Sequence, residues 1–336
     1  MTNPARVVAA GLAAAVAVVL VGAVPGAEPR GPTFVLAWGK KGAGPGEFYS
    51  PIGIAVTPAD EVVVTDLNNA RVQRFTTDGK HLGGFDLPWD EPKRKSTQAG
   101  GVAVAADGTV YVSFMQQHKV AAYAPDGKLV RSFGTKGTGD GELRQPGGLV
   151  LLADGTVYVA DQGNHRVQWF TADGKYRGQW GGHGTEAGKF GGKEAAGSRF
   201  GGPHFLARDG AGRFYATEGA PGRVQQLTAD GKPLAAWVDT GDGPGGFGAH
   251  EFGTSKNAFG PIAVAVDRHD RVWVSSLNDR VQAFSPDGKY LFGITESGKK
   301  PGELARPHGM AFDRRGFLYV ADAGNQRVQK FAVPAP

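Results

Sequence analysis

Residues 146–181 read PGGLVLLADGTVYVADQGNHRVQWFTADGKYRGQWG, and this stretch decides the fold. It divides into four short β-prone runs, Gly148–Leu152, Thr156–Ala160, Arg166–Phe170 and Tyr176–Trp180. The breaks are Asp154-Gly155, the loop Asp161–His165, and Asp173-Gly174-Lys175. Asp-Gly between two such runs predicts a type I′ hairpin turn, which needs positive φ at both central residues. Alone, this small sheet has two faces to bury and nothing to bury them against. The rest of the chain supplies the partner by repeating the unit.

Asp-Gly-Lys recurs with its aspartate at Asp78, Asp126, Asp173, Asp230 and Asp287, at separations of 48, 47, 57 and 57. The strand before each turn recurs as well, beginning at Arg71, Lys119, Arg166, Arg223, Arg280 and Arg327. Six third strands, Gly-rich punctuation and this period predict an all-β, six-bladed propeller of four-stranded antiparallel blades. Each blade is covered on both faces by its neighbours, so its inner strands read as nearly continuous apolar runs. The sixth unit stops at Pro336 without a fourth strand. Phe34–Gly39 (FVLAWG) resembles Leu129–Gly134 and Tyr176–Gly181, and is assigned as the outer strand of blade six. Such closure removes an open edge.

Of 336 residues, 54 are Gly and none is Cys, and the formal charge is +5. The absence of Cys excludes disulfides, thiolate metal sites and a lipoprotein anchor. The basic excess is dispersed rather than clustered, which argues against a nucleic-acid partner. Residues 1–27 read as a secretory signal peptide: Arg6, the apolar run Val7–Val24, and small residues at Val21-Gly22-Ala23. The alternative is an uncleaved anchor, which would make residues 7–24 the contact with membrane. Residues 28–33 are a linker and 34–336 the propeller. The expected location is extracytoplasmic, and the expected state is a monomer.

Several motifs carry a family resemblance: Gly44–Phe48 (GPGEF), Pro51–Val56 (PIGIAV), and above all Tyr158–Gln168 (YVADQGNHRVQ) with its echo Tyr319–Gln329 (YVADAGNQRVQ). By these the chain resembles the NHL-repeat proteins over nearly all of its length. The resemblance implies a six-bladed propeller and no particular activity.

Loops joining strands two and three, and those joining strand four to the next strand one, emerge on one face. That face takes His165, His183, His204, His250 and His308, together with the long passages 86–97, 182–202 and 239–260. It is the expected ligand side, with rim contacts from Trp89, His183, Phe190, Phe247 and His250. At the axis, strand-one positions Ile52, Gly100, Gly147, His204, Ile262 and His308 are expected to converge on a mostly apolar floor.

The peptidyl-hydroxyglycine lyase of peptide amidation is distantly similar, and that resemblance implies zinc held by three Pro-His positions from alternate blades. Pro203-His204 and Pro307-His308 match two, but blade two offers Ala99-Gly100. The tyrosine which that family needs in blade three is replaced by Gln162-Gly163. The expectation is weak zinc binding at most and no catalytic residue. Asp66, Asp161, Glu218 and Asp322, with the arginines five residues on, recur once in most blades, as structural pairing would require. The sequence therefore favours an exported binding or scaffold propeller for a peptide, glycan or protein. The alternative is a metal-dependent lyase- or hydrolase-like enzyme using His204 and His308.

Overall fold

A computed structural model describes residues 31–90, 95–96, 99–191, 201–219, 221–239, 241, 243–248 and 260–335. The expected signal segment, His250 and parts of the three inserted loops lie outside these. Among the described residues, the strands form six four-stranded antiparallel sheets and two small two-stranded ones. Blade three has the order Pro146–Leu151, Val157–Asp161, Arg166–Phe170 and Tyr176–Gly181, from the axis outward. Thr33–Trp38 pairs antiparallel with Arg327–Ala332 and completes blade six, as the missing turn predicted.

Buried apolar residues form a series of clusters between blades rather than one central core. One joins Val120, Phe133 and Leu143 to Val157 and Phe170, and the next joins Tyr158 and Trp180 to Leu206 and Phe214. In five of the six blades the last aromatic of the fourth strand sits against the next blade's turn glycine: a Cβ on Gly174 would meet the Phe133 side chain at 2.8–2.9 Å, and one on Gly79 the Trp38 ring at the same distances.

These turns differ from the type I′ expectation. Thr76 N–H donates to Lys80 O and Gly79 N–H to Thr76 O, and only the glycine has positive φ (+82°). Three residues thus make the loop, a type I turn closed by a left-handed glycine with a bulge between Arg74 and Phe75. Asp-Gly suits both geometries, because the glycine is indispensable in each.

The strand-one positions are fixed by hydroxyls of the preceding blade. Thr65 Oγ1 donates to Gly100 O (3.1 Å), Ser113 Oγ to Gly147 O (2.6 Å), Thr217 Oγ1 to Ile262 O (2.6 Å) and Ser275 Oγ to His308 O (2.7 Å). Between blades three and four, Gly148 N–H donates to His204 O (2.7 Å). A Cβ on Gly147 would clash with that same His204 carbonyl, so the close approach requires glycine.

Candidate ligand-binding site

The recurrent acids are structural. Asp161 is fully buried, and its carboxylate accepts from Arg144 N (2.6 Å), Asn164 Nδ2 (2.8 Å), Arg166 Nε (2.8 Å) and Gln168 Nε2 (3.0 Å). Arg166 Nη2 then donates to the carbonyls of Gly139 and Glu142, and Gln168 Nε2 to Glu142 O. The set clamps the Gly-rich connection that leads into the blade. Asp66 with Arg71 and Gln73, and Asp322 with Arg327 and Gln329, repeat it. Glu218 does the same with Arg223 and Gln225. Burial pushes the carboxyls of Asp161 and Glu218 up, against the pull of their hydrogen-bond donors.

Two expected rim residues belong to this device and are corrected here. Phe190 and Phe247 are fully buried in interblade clusters. They occupy the place of Phe48, Leu143 and Leu304, the apolar plugs that end the Gly-rich connections. The local bonding repeats too: Gly188 N–H donates to Gln225 Oε1 and Gly245 N–H to Gln282 Oε1, as Gly46 N–H does to Gln73. His183 pairs with Phe190 in the same parallel bridge that joins Lys41 to Phe48.

The remaining candidates fall into separate places. His165 meets His183 edge to face, with ring centroids 4.7 Å apart. His165 has φ of +55° and holds the position of His118, whose Nδ1 accepts from Gln145 N at 3.1 Å. Burial lowers the His165 pKa, and the neighbouring His183 lowers it further. Neither ring lines the axial well. Trp89 lies in a two-residue strand pairing with Lys95–Ser96, and its side chain is outside the described residues.

The six strand-one positions do converge. Ile52, Gly100, Gly147, His204, Ile262 and His308 all line one axial well of about 190 Å³. Below them Ile54, Val102, Leu149, Leu206, Val264 and Met310 narrow the axis to about 70 Å³. Leu67, Met115 and Phe205 complete the wall and were not anticipated, while Gln162 lines it at the place where the lyase resemblance puts a tyrosine. Leu67, Met115 and Gln162 immediately follow the strand-two ends Asp66, Phe114 and Asp161, where the chain turns toward the axis. His204 is buried, with Nε2 3.3 Å from Gln162 Nε2. Burial lowers its pKa to about 3, with His308 adding to the effect, and lowers that of His308 to about 4, with Arg306 adding.

The well does not match the three-histidine zinc site of the lyase resemblance. The blade-two position is Gly100, which has no side chain to donate, and the other polar side chain lining the well is Gln162, with its amide nitrogen 3.3 Å from His204 Nε2. Among the described residues, no group of three or more His, Cys, Asp or Glu side chains is arranged to hold a metal ion.

Residues 48–75, 143–170 and 304–331 match the NHL repeat. Each segment runs from a plug residue through the third strand of blades one, three and six. These are the blades with the full Asp, Asn, Arg and Gln set. Over 102 residues, 29% of this chain, the sequence is 30% identical to the protein brain tumor of Drosophila melanogaster, and the match spans 10% of that protein. A streptogramin B lyase structure is similar with TM-score 0.58 and 13% identity, covering 90% of this chain and 98% of that one. A gluconolactonase from Xanthomonas campestris is similar with TM-score 0.60 and 18% identity, covering 85% and 87%. The RRP9 WD40 repeats give 0.61 and 15%, covering 90% and 99%. At such identities the likeness is one of fold. The chain thus carries three NHL repeats in its sequence and folds as a six-bladed β-propeller of four-stranded blades.

Proposed function

We propose that this protein is an exported binding or scaffold propeller that recognises a peptide, glycan or partner protein on the face bearing the axial well. The observation that supports it is the division of labour among the polar residues. The recurrent acids and arginines are spent on clamping connections, while the axis offers a concave, mostly apolar well with a few placed polar groups. That combination is the usual composition of a binding site. Export is supported by Arg6, the apolar run 7–24 and Val21-Gly22-Ala23.

The test uses the protein purified from whichever fraction of its native host holds it, with its N-terminus sequenced. A start shortly after Ala23 or Ala27 supports export with cleavage, and an intact Met1 or Thr2 in membranes supports the anchor. The same material is screened against a random-peptide display library and a glycan array. Binders should be lost when residues 192–200 and 249–259 are replaced by short Gly-Ser linkers. They should survive changes at Lys128, Lys175 and Lys232 in the short turns, and the opposite pattern moves the working face to the other side. Stoichiometric zinc that survives dialysis, and is lost in His204→Ala and His308→Ala, would replace this reading with the metal-dependent enzyme.

A further inference from the structure

The axial well is more selective than the face around it. Its volume of about 190 Å³ suits one substituted six-membered ring, since an apolar cavity of about 150 Å³ accommodates benzene. Ile52 and Leu67 of blade one, Met115 of blade two and Ile262 of blade five make its wall apolar. The Met115 thioether is a favourable neighbour for an aromatic edge. Among the described residues, no Asp, Glu, Lys or Arg lines the well.

Charge is therefore excluded on both signs. A carboxylate or ammonium entering the well would leave water and meet no counter-charge. The acids that immediately precede Leu67 and Gln162 in sequence, Asp66 and Asp161, are already saturated by arginine, asparagine and backbone donors. Burial keeps both imidazoles in the neutral form at ordinary pH. A sugar is disfavoured on different grounds. Its many hydroxyls would face walls with only three polar side chains, and those left unpaired cost binding. Among the described residues, no hydrogen bond reaches the His308 ring, so its nitrogens can serve a ligand as one donor and one acceptor.

We propose that the well seats one uncharged aromatic group bearing a single hydrogen-bonding atom, the phenol or indole end of a side chain in a peptide or partner protein, with the His308 ring as its polar partner. This rests on the well-bearing face being the binding face, as argued above.

The test needs no knowledge of the natural partner. Saturation-transfer NMR on the purified protein is run with p-cresol and 3-methylindole, and with the charged isosteres 4-methylbenzoate and 4-methylbenzylamine. Methyl glucoside serves as the sugar probe. The two neutral rings should bind with Kd on the order of a millimolar, as their size allows, and should shift the ring resonances of His204 and His308. The charged probes and the sugar should bind at least tenfold more weakly. Gly100→Leu should abolish p-cresol binding, because it fills the well from a position where a Cβ meets nothing closer than 3.4 Å. Leu67→Trp is a second blocker should the first variant fold poorly. His308→Phe should weaken p-cresol several-fold and leave toluene unchanged.

A charged isostere that binds as tightly as p-cresol overturns the inference, as does p-cresol binding that survives both blockers. Peptide or glycan binders that need the loops at 192–200 and 249–259 but tolerate both blockers would sink this inference and leave the face reading standing. Probes that behave as expected, with library binders that depend only on the short turns, would sink the face reading and leave the well.

Discussion

Blades two and three are neighbours with the same four strands and opposite ways of filling one position. In blade three Asp161 pairs across the ladder with Arg166, and in blade two Phe114 pairs with Lys119. Phe114 is fully buried and the Lys119 ammonium lies 5.8 Å from its ring centroid. Gln168 is matched by Ala121. The blade itself therefore does not need the acid. What differs is the connection leading in: residues 134–143 present carbonyls at Gly139 and Glu142 to Arg166, whereas blade two follows residues 87–98, which lack the Gly-rich plug sequence. Blade five marks a halfway case. Arg280 and Gln282 still hold Gly243 and Gly246, but Ser276 stands where the acid would be. The acid, arginine and glutamine set is a clamp for one kind of loop, and its recurrence carries no catalytic meaning.

The largest test asks whether the two kinds of blade share a closed ring. Deleting residues 33–38 strips blade six of its outer strand and exposes Arg327–Ala332. It also removes Trp38 from its contacts with Phe75 and Tyr319. The loss should reach several kcal/mol, a large part of the roughly 5–15 typical of a folded domain. A truncated chain that melts at the same temperature as the full chain would show that closure contributes little.

Next in size is Asp161→Ala. It leaves Arg166 buried without its carboxylate and strands Asn164, Gln168 and the Arg144 amide, a loss of about 3–5 kcal/mol by denaturant unfolding. Transplanting the blade-two solution, Asp161→Phe with Arg166→Lys and Gln168→Ala, should cost less than the single change. Hydrogen exchange should then rise in residues 135–143 while strands two and three of the blade stay protected. If the triple variant is worse than Asp161→Ala, the two blades are not alternative solutions of one problem.

The wells and the clamps also answer to pH with opposite signs. The folded pKa values of His204 and His308 lie near 3 and 4, below the ordinary 6.5. The unfolded chain thus takes up protons first as pH falls. Stability from these rings is complete above about 6.5 and drains away below it, by roughly 1.4 kcal/mol per pH unit per imidazole until the folded values are reached. Asp161 and Glu218 are shifted up by burial, so their protonation on acidification works in the other direction. The histidines should contribute the loss that begins as pH falls below about 6.5, the two axial rings together with His81, His118 and His165, whose values burial also lowers. The double variant His204→Gln with His308→Gln should reduce that loss, since the axial rings carry the largest downward shifts, and an unchanged pH dependence would mean that the rings are not held neutral.

The fold was legible because its punctuation repeats. The spacing of Asp-Gly-Lys counted the blades, and the missing sixth copy located the closing strand at the other end of the chain. The well was legible at Ile52, Gly100, Gly147, His204, Ile262 and His308, since equivalent positions in a ring must face one axis. Leu67 and Met115 were not, because their direction depends on how the chain turns after strand two rather than on any pattern. Phe190 and Phe247 were misread although a signal existed. Ala187-Gly188-Lys189-Phe190 and Pro244-Gly245-Gly246-Phe247 are degenerate copies of Gly-Pro-Gly-Glu-Phe, with the glutamate lost and the plug kept. Asp209, Asp267 and Asp313 lie at the turns between strands one and two, where nothing in the repeat pattern marks them as buried. They are buried staples instead, accepting from Tyr215 Oη, Trp273 Nε1 and Tyr319 Oη at 3.0 Å each.

The smallest effect gives the sharpest form of the comparison between blades two and three. Lys119→Ala in blade two removes a cation above a ring but leaves no buried charge behind, because Phe114 beneath it is apolar. Its stem is half-buried, so some packing is lost with the ammonium. The expected cost is about 0.5–1 kcal/mol, the range of an exposed cation–π contact. Arg166→Ala at the matching place in blade three uncovers the Asp161 carboxylate and frees the carbonyls of Gly139 and Glu142. That change should cost several times more, and it should be partly relieved by pairing it with Asp161→Ala. A double-mutant cycle in each blade reads the two couplings directly. The Asp161–Arg166 coupling should far exceed that of Phe114–Lys119. Equal couplings would mean that the buried ion pair contributes no more than the cation–π contact in its place, and the pair could not be the anchor of the loop clamp.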